Sequence, residues 1–220
     1  VGALILGCGG AVTSADWAIL AATTGSLVRE TPATPGRADL DPLLKGLSGE
    51  DVVVHGSDAD LAAVVLRLLR LDRLDVRVGY VPTSPTSPVA RLWRLPADRV
   101  RAALAGSAHP VPLIRDDVGG VLLGLGVLAP VNGTVFCDDA VPLRGTAKRV
   151  EVAPDPAGGP GLSVTVVRRA FLRDRRHTWT GRAVQFGSDP VVPVRDGVPH
   201  PRPMTRWTWY RHTQDLLVVR

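Results

Sequence analysis

Along the first half of this chain, apolar runs and polar breaks alternate at a spacing that predicts strands and helices in turn. Val1 to Leu6 reads as a strand that runs into Gly7-Cys8-Gly9-Gly10. Ser14 is placed to cap a helix from Ala15 to about Thr24, which Gly25 ends. Ser26 to Arg29 reads as a second strand, and Asp41-Pro42 as the N-cap and first residue of a helix through Leu47. Val52 to Val54 is a buried strand, Leu61 to Leu71 an apolar helix, Val76 to Val81 a strand, and Asp98 to Leu104 a helix stopped by Gly106. Such alternation predicts an α/β lobe with a doubly wound, mostly parallel sheet.

The pattern then changes. From about Val111 onward, short β runs are separated by turns: Val121 to Leu128, Thr134 to Phe136, Ala147 to Val152, Leu162 to Leu172 and Thr178 to Phe186. Asn132-Gly133 and the run from Ala157 to Gly161 read as hairpin turns. Met204 to Tyr210 and Leu216 to Val219 are β-like as well. These signals predict a β-rich, sandwich-like second lobe over 113–220, after an α/β lobe over 1–112. The boundary falls between Pro110 and Asp117, and the extreme C-terminus is free to pack back on the first lobe.

Composition narrows the chemistry. The net charge of +5 is nearly all arginine, since Lys45 and Lys148 are the only two lysines. No basic element is focused for groove reading, which argues against nucleic acid as a partner. The arginines at 168, 169, 173, 175, 176 and 182 cluster around one predicted hairpin. An anionic membrane surface or an acidic partner is one reading of that cluster, and a merely solvated hairpin tip is the other. Cys8 and Cys137 are far apart with no metal-ligand spacing, and His109, His177, His200 and His212 show none either. No secretory pattern opens the chain and no apolar run is long enough for a membrane span, which predicts a cytoplasmic protein, at most peripheral at a membrane. Oligomeric state stays open.

Candidate chemistry concentrates at the carboxyl ends of two predicted parallel strands, where α/β sheets bind ligands. After the first come His55, Gly56, Ser57, Asp58, Ala59 and Asp60. Gly56 permits close backbone approach, and the helix that follows offers unpaired N–H groups to an anion. Ser57, Asp58 and Asp60 are also good helix-capping residues, so a structural cap and a phosphate loop compete for the same turn. Two carboxylates at a helix start repel phosphate unless a divalent cation intervenes. After the second strand come Thr83, Ser84, Thr86 and Ser87, whose hydroxyls suit a phosphate or ribose, or a loop stiffened by prolines at 82, 85 and 88. Gly7-Cys8-Gly9-Gly10 lacks the third glycine of a dinucleotide fingerprint, for Val12 stands there.

These segments together resemble a known family. Gly56-Ser57-Asp58-Ala59-Asp60 between strand and helix is similar to the G-G-D-G-T loop of the diacylglycerol kinase and NAD kinase superfamily. Pro82 to Arg91 resembles the P-x-G-T-x-N-D-F-A-R segment of the diacylglycerol kinase branch, and Asp196-Gly197-Val198 its D-G-E motif. The resemblance implies a lipid kinase fold with ATP phosphates on the glycine loop and Mg²⁺ and a lipid hydroxyl in a cleft between lobes. Asp58 would then serve catalysis and the metal, and Asp196 would be the acidic group near the acceptor. His55, Gly56, Ser57, Ala59, Asp60, Thr83, Ser84, Thr86 and Ser87 would line the nucleotide.

Residue by residue, Gly56, Asp58, Pro82, Ala90, Arg91, Asp196 and Gly197 match, whereas Ser57, Ala59 and Asp60 replace Gly, Gly and Thr. Val198 stands where the family has an acidic Glu, a loss that removes a candidate general base worth about 10²–10⁴-fold in rate. Two expectations result. One is an ATP- and Mg²⁺-dependent lipid kinase with degenerate motifs, acting on a lipid or another hydroxylated acceptor. The other is a catalytically inactive kinase-fold binding or regulatory protein.

Overall fold

The computed structural model describes residues 2–155, 157–171 and 173–220. Val1 and Leu172, which the sequence places in a strand start and a strand end, lie outside the described residues. By its internal contacts the chain forms two units, one from Val1–Val111 with Gln214–Arg220, the other from Pro112–Thr213.

The first unit carries a six-stranded sheet in the order β2-β1-β3-β4-β18-β5, from β1 (Ala3–Cys8), β2 (Leu27–Thr31), β3 (Asp51–Gly56), β4 (Arg77–Pro82), β5 (Ala108–Val111) and the C-terminal β18 (Leu216–Val219). All neighbours run parallel except β18 and β5. Its helices are α1 (Ala15–Ala21), α2 (Arg37–Lys45), α3 (Asp58–Arg70), α4 (Pro88–Leu92) and α5 (Arg99–Ala105). Val52, Val53 and Val54 are all fully buried in succession, so both faces of the sheet are covered, as a doubly wound sheet requires. Ile5, Val53 and Val81 pack with Trp17 and Leu20 of α1 and Ala103 of α5. Helix α3 buries Leu61, Val64, Val65 and Leu68 at helical spacing, each worth about 1.5–3 kcal/mol when fully buried.

Helix α2 does not begin at Asp41. It begins at Arg37, because Asp39 accepts the Gly36 N–H at 2.8 Å and secures the start a turn earlier. Pro42 is carried inside the helix, without the bond that an N–H there would make. Asp41 instead receives Arg67 of α3 through two bonds, at 2.8 and 3.0 Å, a side-on fork that ties the two helices together.

The second unit is two antiparallel sheets. One has the order β10-β9-β14-β17-β6-β7, from β6 (Ile114–Asp116), β7 (Val121–Leu122), β9 (Val131–Cys137), β10 (Ala140–Ala147), β14 (Ala183–Val191) and β17 (Met204–Arg211). The other has the order β13-β12-β11-β8-β15-β16, from β8 (Gly126–Leu128), β11 (Arg149–Pro154), β12 (Leu162–Arg168), β13 (Arg175–Gly181), β15 (Val194–Arg195) and β16 (Val198–Pro199). Val135, Leu143, Phe186, Trp207 and Trp209 from the first share one core with Val150, Val152, Leu162 and Val164 from the second. Trp207 and Trp209 share a face, as their alternation predicts, with ring centroids 5.8 Å apart.

One turn expectation and one strand expectation fail here. Asn132-Gly133 lies inside β9, and Gly133 serves close packing: a Cβ there would sit 2.2 Å from the Gly187 carbonyl oxygen of β14. The actual β9–β10 turn is Asp138-Asp139, with Asp138 at φ 47°. The run Thr178 to Phe186 also divides, into β13 of one sheet and β14 of the other. Asp138 accepts the N–H groups of Arg182 and Ala183 at 2.9 and 3.0 Å where the chain crosses.

Candidate functional site

Strands β1, β3 and β4 are neighbours, so the segments that leave their carboxyl ends meet. The Thr83 N–H donates to the Gly56 carbonyl at 2.9 Å, joining the two loops that the sequence singled out. His55, Asp58, Asp60 and Ser87 at this junction each bond another part of the same chain.

His55 is buried at the end of β3. Its Nδ1 faces the Val81 carbonyl at 2.8 Å, which only accepts, so Nδ1 carries the proton. Nε2 lies 2.6 Å from the Ser14 hydroxyl and in the neutral ring accepts from it. Ser14 in turn accepts the Trp17 N–H at 3.0 Å as cap of α1, and Trp17 stacks on the imidazole with ring planes 11° apart. The arrangement spans three segments and leaves neither ring nitrogen for a ligand.

Asp58 opens α3. Its carboxylate accepts the Tyr80 hydroxyl at 2.7 Å, the Ser87 hydroxyl at 2.5 Å and the Val89 N–H at 3.2 Å. Burial, followed by the charge of Asp58 and the bond to it, pushes the Tyr80 hydroxyl far above the ordinary phenol value, so it stays a donor. Ser87 also accepts the Ala90 N–H at 2.9 Å and so caps α4. Asp58 therefore binds the start of α4 to the start of α3.

Asp60 is buried and acts within a capping box. Its Oδ2 accepts the Ser57 N–H and the Ser57 hydroxyl, both at 2.7 Å, and its Oδ1 accepts the Thr34 N–H at 2.6 Å. The Asp60 N–H returns a bond to the Ser57 hydroxyl at 3.2 Å. A Cβ built on Gly56 would lie 2.7 Å from Oδ2 of Asp60 and 3.1 Å from the Cys8 Cβ. The face that a glycine leaves open to a phosphate is thus covered by the chain's own carboxylate, in contact with the donors an anion would use. Cys8 beside it is also inert: burial raises its thiol to about 11, and its bond from Thr31 does not reverse that.

Ala59 is half-buried in the first turn of α3, whereas Thr83, Ser84 and Thr86 are exposed. The last two hydroxyls bond each other at 3.1 Å. Asp196 belongs to the second unit, where its carboxylate accepts the N–H groups of Leu123, Gly124 and Leu125 at 2.9, 2.8 and 2.9 Å. That caps the loop between β7 and β8, which breaks the predicted single strand from Val121 to Leu128. Sequence reasoning missed Ser14 as the partner of His55, Thr34 as a donor to Asp60, and Tyr80 as a donor to Asp58. Only Ser14, as a helix cap, carried any signal.

The overall layout has solved counterparts. The structure matches "A putative diacylglycerol kinase from Bacillus anthracis str. Sterne" over 99% of this chain and 96% of that one, with TM-score 0.66 and 12% identity. It also matches an NAD kinase from Archaeoglobus fulgidus, solved in complex with ATP, over 99% of this chain and 93% of the other, with TM-score 0.56 and 12% identity. At this identity the likeness is one of fold: the chain shares the fold of these two solved structures. No family model and no curated protein matches the sequence.

Within this kinase-like fold, the residues present do not fit a nucleotide phosphate with its metal. The cradle at Gly56 is filled by Asp60, and both carboxylates at the helix start are bonded to protein donors. Among the described residues, no cluster of three or more His, Cys, Asp or Glu side chains is arranged to hold a metal ion. Nor is any described helix long and apolar enough to cross a membrane.

Proposed function

We propose that this protein uses the diacylglycerol kinase-like fold to bind a lipid or another hydroxylated molecule, without transferring phosphate to it. One observation carries the reading: Asp60 sits on the glycine loop as an internal anion, bonded to the Thr34 and Ser57 N–H groups and the Ser57 hydroxyl. A phosphate would have to displace a buried carboxylate that already holds those donors, and would meet its charge. The loss of Glu at Val198 and the capping role of Asp196 point the same way, because phosphoryl transfer depends on positioning and charge neutralisation together.

A second reading keeps the ATP- and Mg²⁺-dependent lipid kinase. It is favoured by Gly56, Asp58, Pro82, Ala90 and Arg91, which stand at the matching motif positions, and by the likeness to an NAD kinase solved with ATP. The two separate in mixed micelles that contain diacylglycerol and labelled Mg-ATP. The binding reading expects the protein to retain the lipid while no label reaches it. Labelled phosphatidic acid that accumulates in proportion to protein would establish the kinase instead.

A further inference from the structure

The end of the β12–β13 hairpin in the second unit has the opposite character from the loop junction. Strand β12 pairs with β13 from Leu162 opposite Gly181 to Arg168 opposite Arg175, and Phe171 lies in the connection between the two strands. The Phe171 side chain is fully exposed, at 101%. Five arginines and one aspartate occupy positions 168–176, a local excess of four positive charges against five for the whole chain. Arg168, Arg169, Arg173, Arg175 and Arg176 are all exposed.

Part of this charge is answered locally. Lys148 bonds Asp174 at 2.6 Å, and Arg149 and Arg176 both bond Glu151. Among the described residues, Arg168, Arg173 and Arg175 have no carboxylate partner. Open clefts flank the segment, one of about 590 Å³ lined by Phe171 and Arg173 to His177, another of about 760 Å³ between Lys148, Arg169 and Phe171. A plainer explanation covers half of this: β13 is an edge strand, and charged side chains there discourage edge-to-edge pairing. It does not cover Phe171, since a bare aromatic ring at the tip invites the association that the charges would discourage.

We propose that this hairpin end docks on an anionic phospholipid bilayer, with the Phe171 ring in the headgroup–acyl boundary and Arg168, Arg173 and Arg175 against lipid phosphates. An aromatic side chain among basic residues is the combination that binds such an interface, each arginine near the surface adding attraction and the ring adding buried apolar area. A lipid surface accounts for ring and charge together, whereas a soluble acidic partner accounts for the charge alone. The inference deepens the lipid-binding reading above and rests on it for its purpose. Its test contains neither diacylglycerol nor ATP, so the two readings fail separately.

The full chain is spun down with vesicles of phosphatidylcholine alone or mixed with phosphatidylglycerol. Sedimentation is expected with the anionic vesicles only, and weakening as salt rises. Replacing Arg168, Arg173 and Arg175 together by Gln should weaken it about a hundredfold, at about fivefold per arginine, with the thermal melt unchanged. A Phe171→Trp variant should show blue-shifted emission on anionic vesicles beyond that of the native tryptophans. No sedimentation, an unaffected triple variant, or emission that does not move on vesicles would each overturn the proposal. So would equal binding to soluble polyglutamate.

Discussion

The loop junction of the first unit and the hairpin end of the second treat polar groups in contrary ways. At the junction, Ser14, His55, Asp58, Asp60, Tyr80 and Ser87 bond one another or the backbone, and the residues at issue are mostly buried. At the hairpin end, Arg168, Arg173 and Arg175 are exposed, and the Phe171 ring is fully exposed. Groups whose bonding capacity is spent inside the chain hold it together, and a ligand must break those bonds to use them. Groups left unspent at low structural cost are the ones available to a partner. A motif that resembles a phosphate loop can therefore be a scaffold, while the arginine-rich hairpin end keeps its charged groups exposed.

The largest effect that would break this contrast is at Asp58. Asp58→Ala leaves the buried Tyr80 hydroxyl and the Ser87 hydroxyl without their acceptor and frees the start of α4. We expect a loss of about 2–4 kcal/mol in urea unfolding. A purely functional Asp58 would leave stability unchanged on substitution, and that result would put the junction in the same class as the hairpin.

A smaller loss, about 1–2 kcal/mol, is expected for Ser14→Ala, which removes the cap of α1 and the hydroxyl bonded to His55 Nε2. Ser14→Thr keeps an oxygen at the same place and should recover most of it. If both variants melt like the parent, the Ser14–His55 contact contributes nothing to the scaffold.

How far the sequence alone reached depends on what each element needs. Strand β3 and helix α3 are legible because their apolar spacing and the Ser57 cap are local. The β6–β17 region is legible as β but not as two sheets, since nothing in the residues from Thr178 to Phe186 announces a crossing at Gly181-Arg182. Asp41-Pro42 misleads because its cap signal is real chemistry put to another use, the fork with Arg67. At the site, Gly56, Asp58 and Asp60 were visible as a motif, but their partners were not. Ser14 lies 41 residues from His55, and Thr34 lies 26 from Asp60, so only the fold brings them together.

The smallest expected effect is one of pH. Burial raises the thiols of Cys8 and Cys137 from 9.0 to about 11, so the folded protein holds both protons longer than the unfolded chain does. That contribution to stability is whole below about pH 9 and is lost as pH climbs through about 11. Alkylation of the native protein should stay slow until that range, while in urea it proceeds at the ordinary thiol rate. Rapid alkylation near neutral pH would show that the covered face of Gly56, where Cys8 packs, opens readily.

The central claim is that Asp60 closes the glycine loop to phosphate, and a thermal melt with and without Mg-ATP tests it most directly. A ligand that bound the native fold at a hundred times its dissociation constant would add about 2.7 kcal/mol and raise the melting temperature measurably. We expect no shift for the native chain at millimolar Mg-ATP. A clear upward shift for the native chain, abolished in Asp58→Asn, would contradict the account and restore a working nucleotide site.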